Sequence, residues 1–170
     1  NHEVLDNLKL IFNQKGTVTA ATSSPLTDGA ATTLICEEQY AKDNKLEILG
    51  RIVSTAVQGC PPELMGLGPI GATQKALKRA NLSIKDIGII ELNEAFASQS
   101  LACIQDLNID KKKINLDGGA IALGHPLGAT GARITGKAAS LLKRENKKFA
   151  LATQCIGLGM GIATIIESVN

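Results

Sequence analysis

Ile87-Gly-Ile-Ile-Glu-Leu-Asn-Glu-Ala-Phe-Ala97 is the stretch on which the fold turns. Residues 87–92 are short and nearly all apolar, so they read as a strand buried on both faces. Such a strand needs a packed layer above it and another below. Asn93-Glu-Ala-Phe-Ala97 follows without a break, and Ala97, Leu101 and Ile104 continue at helical spacing. The polar pair Asn93-Glu94 therefore falls where a sheet ends and a helix begins, the place where α/β proteins collect their sites.

Working outward, Ala72, Ala76, Leu77 and Ala80 mark the preceding helix. Leu46 to Val57 mixes β-branched with polar residues and reads as a strand, ended by Pro61-Pro62 because proline supplies no ladder donor. Ala31, Leu34 and Ile35 form an i, i+3, i+4 stripe that predicts a helix closed by the polar residues after Cys36. Downstream, Ile134, Ala138, Leu141 and Leu142 predict a helix, and Phe149 to Thr153 and Ile162 to Ile166 predict strands. Between those strands, Cys155-Ile-Gly-Leu-Gly-Met-Gly161 is too glycine-rich for a strand interior and reads as a loop. Alternating helices and buried strands make a layered α/β domain with helices on both sheet faces.

A chain of 170 residues fits one domain, and folding at that size hides about 70% of the surface of the unfolded chain. With 44% apolar residues but no Trp, one Tyr and three Phe, the core must be built from Ala, Val, Ile and Leu. Eighteen basic and 16 acidic residues leave a formal charge of +2, spread too evenly for a nucleic-acid footprint. The runs Lys111 to Lys113 and Lys143 to Lys148 read as solvated turns or helix ends. Cys36, Cys60, Cys103 and Cys155 lack the paired spacing of a zinc site or a redox dithiol, and only two His accompany them. No apolar run reaches the roughly 18 residues of a membrane span, and Asn1 opens the chain without a signal-peptide pattern, like a chain cut short. A reduced, non-secreted protein is expected, and no metal.

Two glycine patterns mislead. Gly66-Leu-Gly-Pro-Ile-Gly71 has dinucleotide-binding spacing, but prolines and a loop precede it where that fingerprint requires a strand. Gly131 to Lys137 spells G-x-x-x-x-G-K, yet Ala138 replaces the hydroxyl that would hold magnesium.

Three segments carry candidate chemistry, and each leaves two roles open. Asn93 can face a ligand or cap its own helix. His125 lies in Gly118-Gly-Ala-Ile-Ala-Leu-Gly-His-Pro-Leu-Gly-Ala-Thr-Gly-Ala132, where five glycines leave room for a ligand, but a lone histidine can equally be structural. Cys155 can present its thiol to a ligand beside backbone N–H groups, or fill a core as a small hydrophobe.

Taken in order and spacing, Asn-Glu-Ala-Phe, Gly-Gly-Ala-Ile-Ala-x-Gly-His-Pro-x-Gly and Cys-x-Gly-x-Gly resemble the second half of the thiolase family. Gly16-Thr-Val-Thr-Ala20 with Ser24, Thr27, Asp28 and Gly29 resembles the segment that begins that half. The resemblance covers nearly all of residues 1–170, read as the C-terminal thiolase domain without its N-terminal partner. It implies a mixed five-stranded sheet with helices on both faces, stacked on a second such half, in dimers or tetramers. Gly59-Cys-Pro-Pro-Glu-Leu-Met-Gly66 and Cys155-Ile-Gly-Leu-Gly159 are most similar to the fatty-acid-degrading branch.

The chemistry implied by the resemblance is thiolytic cleavage of a 3-ketoacyl-CoA to acetyl-CoA and a shortened acyl-CoA, with coenzyme A as substrate and no cofactor. The nucleophilic cysteine belongs to the N-terminal half. His125 matches the residue that deprotonates it and, with Asn93, stabilises the enolate oxygen. Cys155 matches the acid/base that moves the α-carbon proton, and the Gly157 N–H a second oxyanion donor. Ser24 and Met65 match CoA contacts, and Phe96 matches a residue of the acyl pocket. Asp117 stands where many relatives have Asn. Cys36, Cys60 and Cys103 have no nucleophile context, so this chain alone is expected to be inactive. Acyl-CoA, the N-terminal half, a second copy and a hydratase/dehydrogenase subunit are the implied partners, in bacterial cytoplasm or an organelle matrix. A biosynthetic acetoacetyl-CoA thiolase domain and a non-catalytic CoA-binding or assembly module are the rival readings.

Overall fold

The computed structural model describes residues 1–169. Its elements are α1 (His2–Asp6), α2 (Glu38–Asp43), β1 (Arg51–Gly59), α3 (Gly68–Ala80), β2 (Ile89–Leu92), α4 (Ala97–Asp106), α5 (Ala120–Leu123), α6 (Thr130–Arg144), β3 (Phe149–Ile156) and β4 (Met160–Glu167). The sheet runs β1-β4-β3-β2, with β2 parallel to β3 and the other two pairs antiparallel. Four strands form it where five were expected. The fifth place, on the outer side of β2, holds a single bridge from Ile90 to Ile114. Beyond it the Asn115 side chain continues the ladder: its Oδ1 accepts from Leu92 N and its Nδ2 donates to Leu92 O, both at 2.9 Å.

All four residues of β2 are buried, as the opening stretch requires. Ile90 and Leu92 enter one core with residues of α3 and α4, including Ala72, Ala76 and Cys103. Ile89 enters the other with Ile134, Ala138, Leu141 and Leu142 of α6. Each fully buried Ile or Leu contributes roughly 1.5–3 kcal/mol of transfer free energy, so this short strand ties both layers together. The sheet edges are blunted by cations: Arg79 and Lys75 donate to the Thr55 and Val57 carbonyls of β1, and Lys113 donates to Ile87 O.

Four expectations need correction. Residues 31–37 form no helix; they run extended, and α2 begins only at Glu38. Leu34 and Ile35 stay 76% and 69% exposed, so the apolar stripe has no surface to bury against, and the β-branched Thr32, Thr33 and Ile35 favour extended backbone. The first strand starts at Arg51 rather than Leu46, because its partner β4 ends at Glu167, opposite Arg51. In α4 the inward face is Gln99, Ser100 and Cys103, while Leu101 is 53% exposed. Cys103 packs close enough to α3's approach for its Sγ to donate to Gly66 O.

The fourth correction bears on the site. Cys155 does not open a loop; it lies within β3, opposite Gly161, and the hairpin loop is only residues 157–159. Leu158 (φ 70°) and Gly159 (φ 91°) take the left-handed region that this tight connection needs. Gly161 answers a different demand: a Cβ there would overlap the Gly68 backbone, where α3 starts against the sheet. The two misleading glycine patterns fall on the 3-10 turn Pro62–Leu67 leading into α3 and on the interior of α6, as ordinary packing glycines.

Candidate active site

Asn93 is the first residue past β2, held by its N–H to Thr153 O at 3.0 Å, and is 1% exposed. His125 arrives from the opposite direction, at the end of the short α5 and just before α6. The two meet: Asn93 Nδ2 lies 3.3 Å from His125 Nε2. On the other side of the ring, His125 Nδ1 lies 2.7 Å from Thr130 Oγ1 in the first turn of α6.

Hydrogen-bond accounting assigns the tautomer. Thr130 Oγ1 donates its only proton to Pro126 O at 3.0 Å, so it accepts from His125 Nδ1–H. Nε2 then carries the lone pair and accepts from Asn93. Partial burial, with a smaller contribution from the Arg133 charge, pushes the imidazole's pKa below its ordinary value. The ring is thus neutral near pH 7, a base whose lone pair accepts from the amide. Asn93 Oδ1 is buried and unpartnered, leaving a second polar handle at the same spot.

A strap from the beginning of the chain completes the surroundings. Ser24 donates through both N and Oγ to Ala95 O, and Ser23 bridges to Phe96. Thr27 Oγ1 donates to Pro25 O and accepts from His125 N at 3.2 Å, and a Cβ on Gly124 would collide with the Thr27 side chain. Ser24 to Asp28, His125 and Leu127 line a cavity of about 460 Å³. The Phe96 ring packs edge-on against Phe12, centroids 6.2 Å apart.

Cys155 is placed by the strand ladder rather than by bonds to the imidazole. It is half-buried, and burial pushes its thiol pKa up, so at neutral pH it is a protonated acid. The neighbouring Gly157 is exposed, and a Cβ there would meet nothing within 4 Å. Met65 sits half-buried in the turn Pro62–Leu67, away from the residues that line the His125 cavity. The structure therefore brings His125 and Ser24 to one cavity, with Asn93 buried against the imidazole, and carries Cys155, Gly157 and Met65 on a hairpin and a turn outside that lining. Sequence reading missed Thr130 as a partner of His125. A hydroxyl five residues on, at a helix start, was the available signal. Asp117 forms ion pairs with Lys137 and Arg144 of α6, and these hold its carboxyl well below the usual range.

An α/β domain with an imidazole facing an amide at the end of one strand, and a thiol on the hairpin of two others, can offer both a base and an acid. Residues 46–168 match the thiolase C-terminal domain and residues 1–39 match the thiolase N-terminal domain; this chain belongs to the thiolase family. It is 56% identical to a 3-ketoacyl-CoA thiolase of Photobacterium profundum over 171 residues, 98% of this chain and 44% of that protein. A 3-ketoacyl-CoA thiolase of Photorhabdus laumondii is 58% identical over 174 residues, 100% of this chain and 45% of the relative. Among solved structures, human mitochondrial 3-ketoacyl-CoA thiolase, also solved in complex with CoA, superposes with a TM-score of 0.93 at 44% identity, covering 100% of this chain and 43% of that one. Bacillus anthracis acetyl-CoA acetyltransferase gives 0.96 at 41% identity, covering 99% and 43%. The chain spans less than half the length of these relatives. No helix among the described residues is long and apolar enough to cross a membrane.

Proposed function

We propose that this chain supplies the second half of the catalytic centre of a degradative 3-ketoacyl-CoA thiolase, the nucleophilic cysteine coming from a segment outside it. The observation that carries this reading is the neutral His125, its Nε2 lone pair held against Asn93 beside the Ser24 cavity. His125 takes the proton of the nucleophile, and the resulting thiolate attacks C3 of the 3-ketoacyl-CoA. The C2–C3 bond breaks, leaving an acyl thioester and an acetyl-CoA enolate. Protonated His125 and the Asn93 amide stabilise the enolate oxygen, while Cys155 gives its proton to C2 and releases acetyl-CoA. In the second stage a CoA thiol hands its proton to Cys155 and displaces the acyl group as a shortened acyl-CoA. The Gly157 N–H serves the oxygen of that second tetrahedral state. A carboxylate in place of either acid/base group would repel the enolate.

Ser24 and Met65 hold the pantetheine arm of CoA in this reading, and Phe96 borders the acyl pocket. The unpaired extended run Thr32–Cys36 lies over α6, where with Leu46 to Ile52, Thr135, Gly136 and Ala139 it lines an apolar groove of about 560 Å³. It belongs to the sheet of the other half. Homo-oligomer formation and docking of a hydratase/dehydrogenase subunit, in cytoplasm or an organelle matrix, are part of the same proposal.

The test is thiolysis of a 3-ketoacyl-CoA series by the full-length protein, compared with this chain alone. The full-length protein is expected to release acetyl-CoA with medium or long chains, and the chain alone to show no turnover. Steady turnover by the isolated chain would refute the split centre. Activity confined to acetoacetyl-CoA would favour the biosynthetic reading.

A further inference from the structure

Glu94 has no part in the chemistry above, although it lies between Asn93 and the rest of that motif. Its carboxylate spans two segments. Oε1 accepts from Asn115 Nδ2 at 2.8 Å, and Oε2 accepts from the Ile121 N–H in the first turn of α5 at 3.2 Å. Asn115 is fully committed: one amide proton goes to Leu92 O, the other to Glu94, and its Oδ1 takes the Leu92 N–H. The carboxylate lies over Gly119, where a Cβ would fall inside it. This explains a glycine at that point of the Gly118-Gly119 pair: the residue is bare so that Glu94 can reach across.

The mechanical consequence concerns distance. Asn93 belongs to the end of β2, whereas His125 is fixed to α6 by Thr130 and to the strap by Thr27. The 3.3 Å contact between them joins two bodies that do not share an element. Glu94 ties the β2 end to the segment 115–121, which leads through α5 directly to Gly124 and His125. We infer that Glu94 is a positioning residue that sets the separation of Asn93 from His125 by bracing β2 against the start of α5. The inference rests on the thiolase reading for its functional consequence but on the hydrogen bonds alone for its geometry.

A bidentate acceptor is required. Glu94→Gln presents one oxygen, so an amide N–H must face either Asn115 Nδ2 or Ile121 N, and one bond is lost whichever way it turns. Glu94→Ala loses both. Ångström-scale misplacement of reacting groups costs about 10²-fold in rate. In the full-length protein, Glu94→Ala should therefore lower exchange of acetyl-CoA α-protons with deuterated solvent by about that factor, and Glu94→Gln by less. Acylation of the nucleophile, which needs no enolate hole, should fall only a few-fold, with KM for CoA unchanged. Gly119→Ala should be as damaging alone, yet add little in the Glu94→Ala background, where the methyl group has space. The ¹⁵N shift of His125 Nε2 reports the Asn93 contact without any activity, and should move in Glu94→Ala and in Gly119→Ala.

Equal loss of exchange and acylation, an unmoved Nε2 shift, or strictly additive Glu94→Ala and Gly119→Ala effects would overturn the brace. A parent protein without thiolysis or exchange would instead count against the thiolase reading, and the Nε2 shift would still decide the brace. If Glu94→Ala fails to fold, Glu94→Gln is measured by the same shift and the same two rates: a moved shift with exchange reduced more than acylation supports the brace, and an unmoved shift overturns it.

Discussion

Ala31, Leu34 and Ile35 in residues 1–37 and the stripes of residues 51–167 both carry apolar side chains at regular spacing, yet the two regions end up opposite. None of the first group is buried, and Leu26, Leu34 and Ile35 stand in the open. The second group forms a sheet with a core on each face. The difference teaches that periodicity states which face wants burial, while an extended sheet and helices longer than the single exposed turn of α1 appear only where a second surface meets that face. The two regions also divide the candidate site. The sheet domain holds the groups to which the proposed reaction assigns proton transfer; the strap holds those that line the cavity and accept from the His125 backbone.

That division predicts where the largest loss lies. Cys155→Ala in the full-length protein should lower thiolysis and acetyl-CoA α-proton exchange by about 10² to 10⁴-fold, the range of a lost general acid/base. Acylation of the nucleophile should fall much less, since it forms no carbanion and keeps His125. Cys155→Ser should behave like Ala, because a hydroxyl is a far weaker acid. By contrast, Ser24→Ala in the strap should act on KM for CoA. Steady-state and exchange kinetics decide: parental exchange in Cys155→Ala would end the acid/base assignment and break the division of labour.

The next effect is one of stability, and it too belongs to the sheet domain. Glu91 is 2% exposed on β2, with Oε1 unpartnered, and burial raises its pKa to about 7 against the lowering influence of Arg133 and Lys137. A carboxyl raised above its unfolded value binds its proton more tightly in the folded state. Its contribution is fully present below the ordinary value near 4.5 and is lost as pH rises through about 7. A shift of that size corresponds to about 3 kcal/mol. Glu91→Gln, neutral throughout, should gain up to that amount over the parent at pH 8 and little at pH 4. Urea midpoints at the two pH values measure it; parallel pH profiles would mean that Glu91 is ionised in the folded protein.

Thr130→Val comes third. It removes the acceptor of His125 Nδ1–H and the donor to Pro126 O together. An unsatisfied buried group costs about 1–3 kcal/mol, and the ring is freed to carry its proton on Nε2, where it opposes the Asn93 amide. Thr130→Ser should restore both bonds. Ring ¹⁵N shifts separate the tautomers, and an unchanged spectrum in Thr130→Val would show that Thr130 does not set them.

The same contrast explains what can be read from the sequence. The buried strand, expected over 87–92 and found at Ile89–Leu92, and the helix pattern of Ile134, Ala138, Leu141 and Leu142 are legible because each meets its packing partner within the chain. The stripe Ala31, Leu34 and Ile35 misleads because its spacing suits a helix while its burial is not supplied by residues 1–169. Asn93, His125 and Cys155 are legible as types, the first two just past the ends of elements and the third near the turn end of β3. Thr27 and Glu94 are not, since their roles come from backbone groups brought close by the fold, His125 N and Ile121 N; Thr130, local to Pro126 and His125, shows only as a hydroxyl at a helix start. The glycines after Cys155 suggest a break in the strand, whereas Gly161 is bare only to admit the Gly68 backbone.

The smallest effect tests the contrast most directly. Leu34 is 76% exposed in the extended run over α6, so in this chain alone Leu34→Asp removes little buried contact. Surface substitutions of that kind stay within about 0.5 kcal/mol, and the urea midpoint should hardly move. If the proposed second sheet covers the run in the full-length protein, the same substitution puts a carboxylate into an apolar layer with no partner. Burying an unpaired charge is among the few routes to a loss of several kcal/mol. The full-length variant should then unfold at a clearly lower urea concentration, or accumulate poorly, while the short chain tolerates it and becomes less prone to self-association as its apolar face gains a charge. Equal, small effects in both proteins would mean that the strap is an ordinary solvated segment, and that its exposed leucine and isoleucine await no partner sheet.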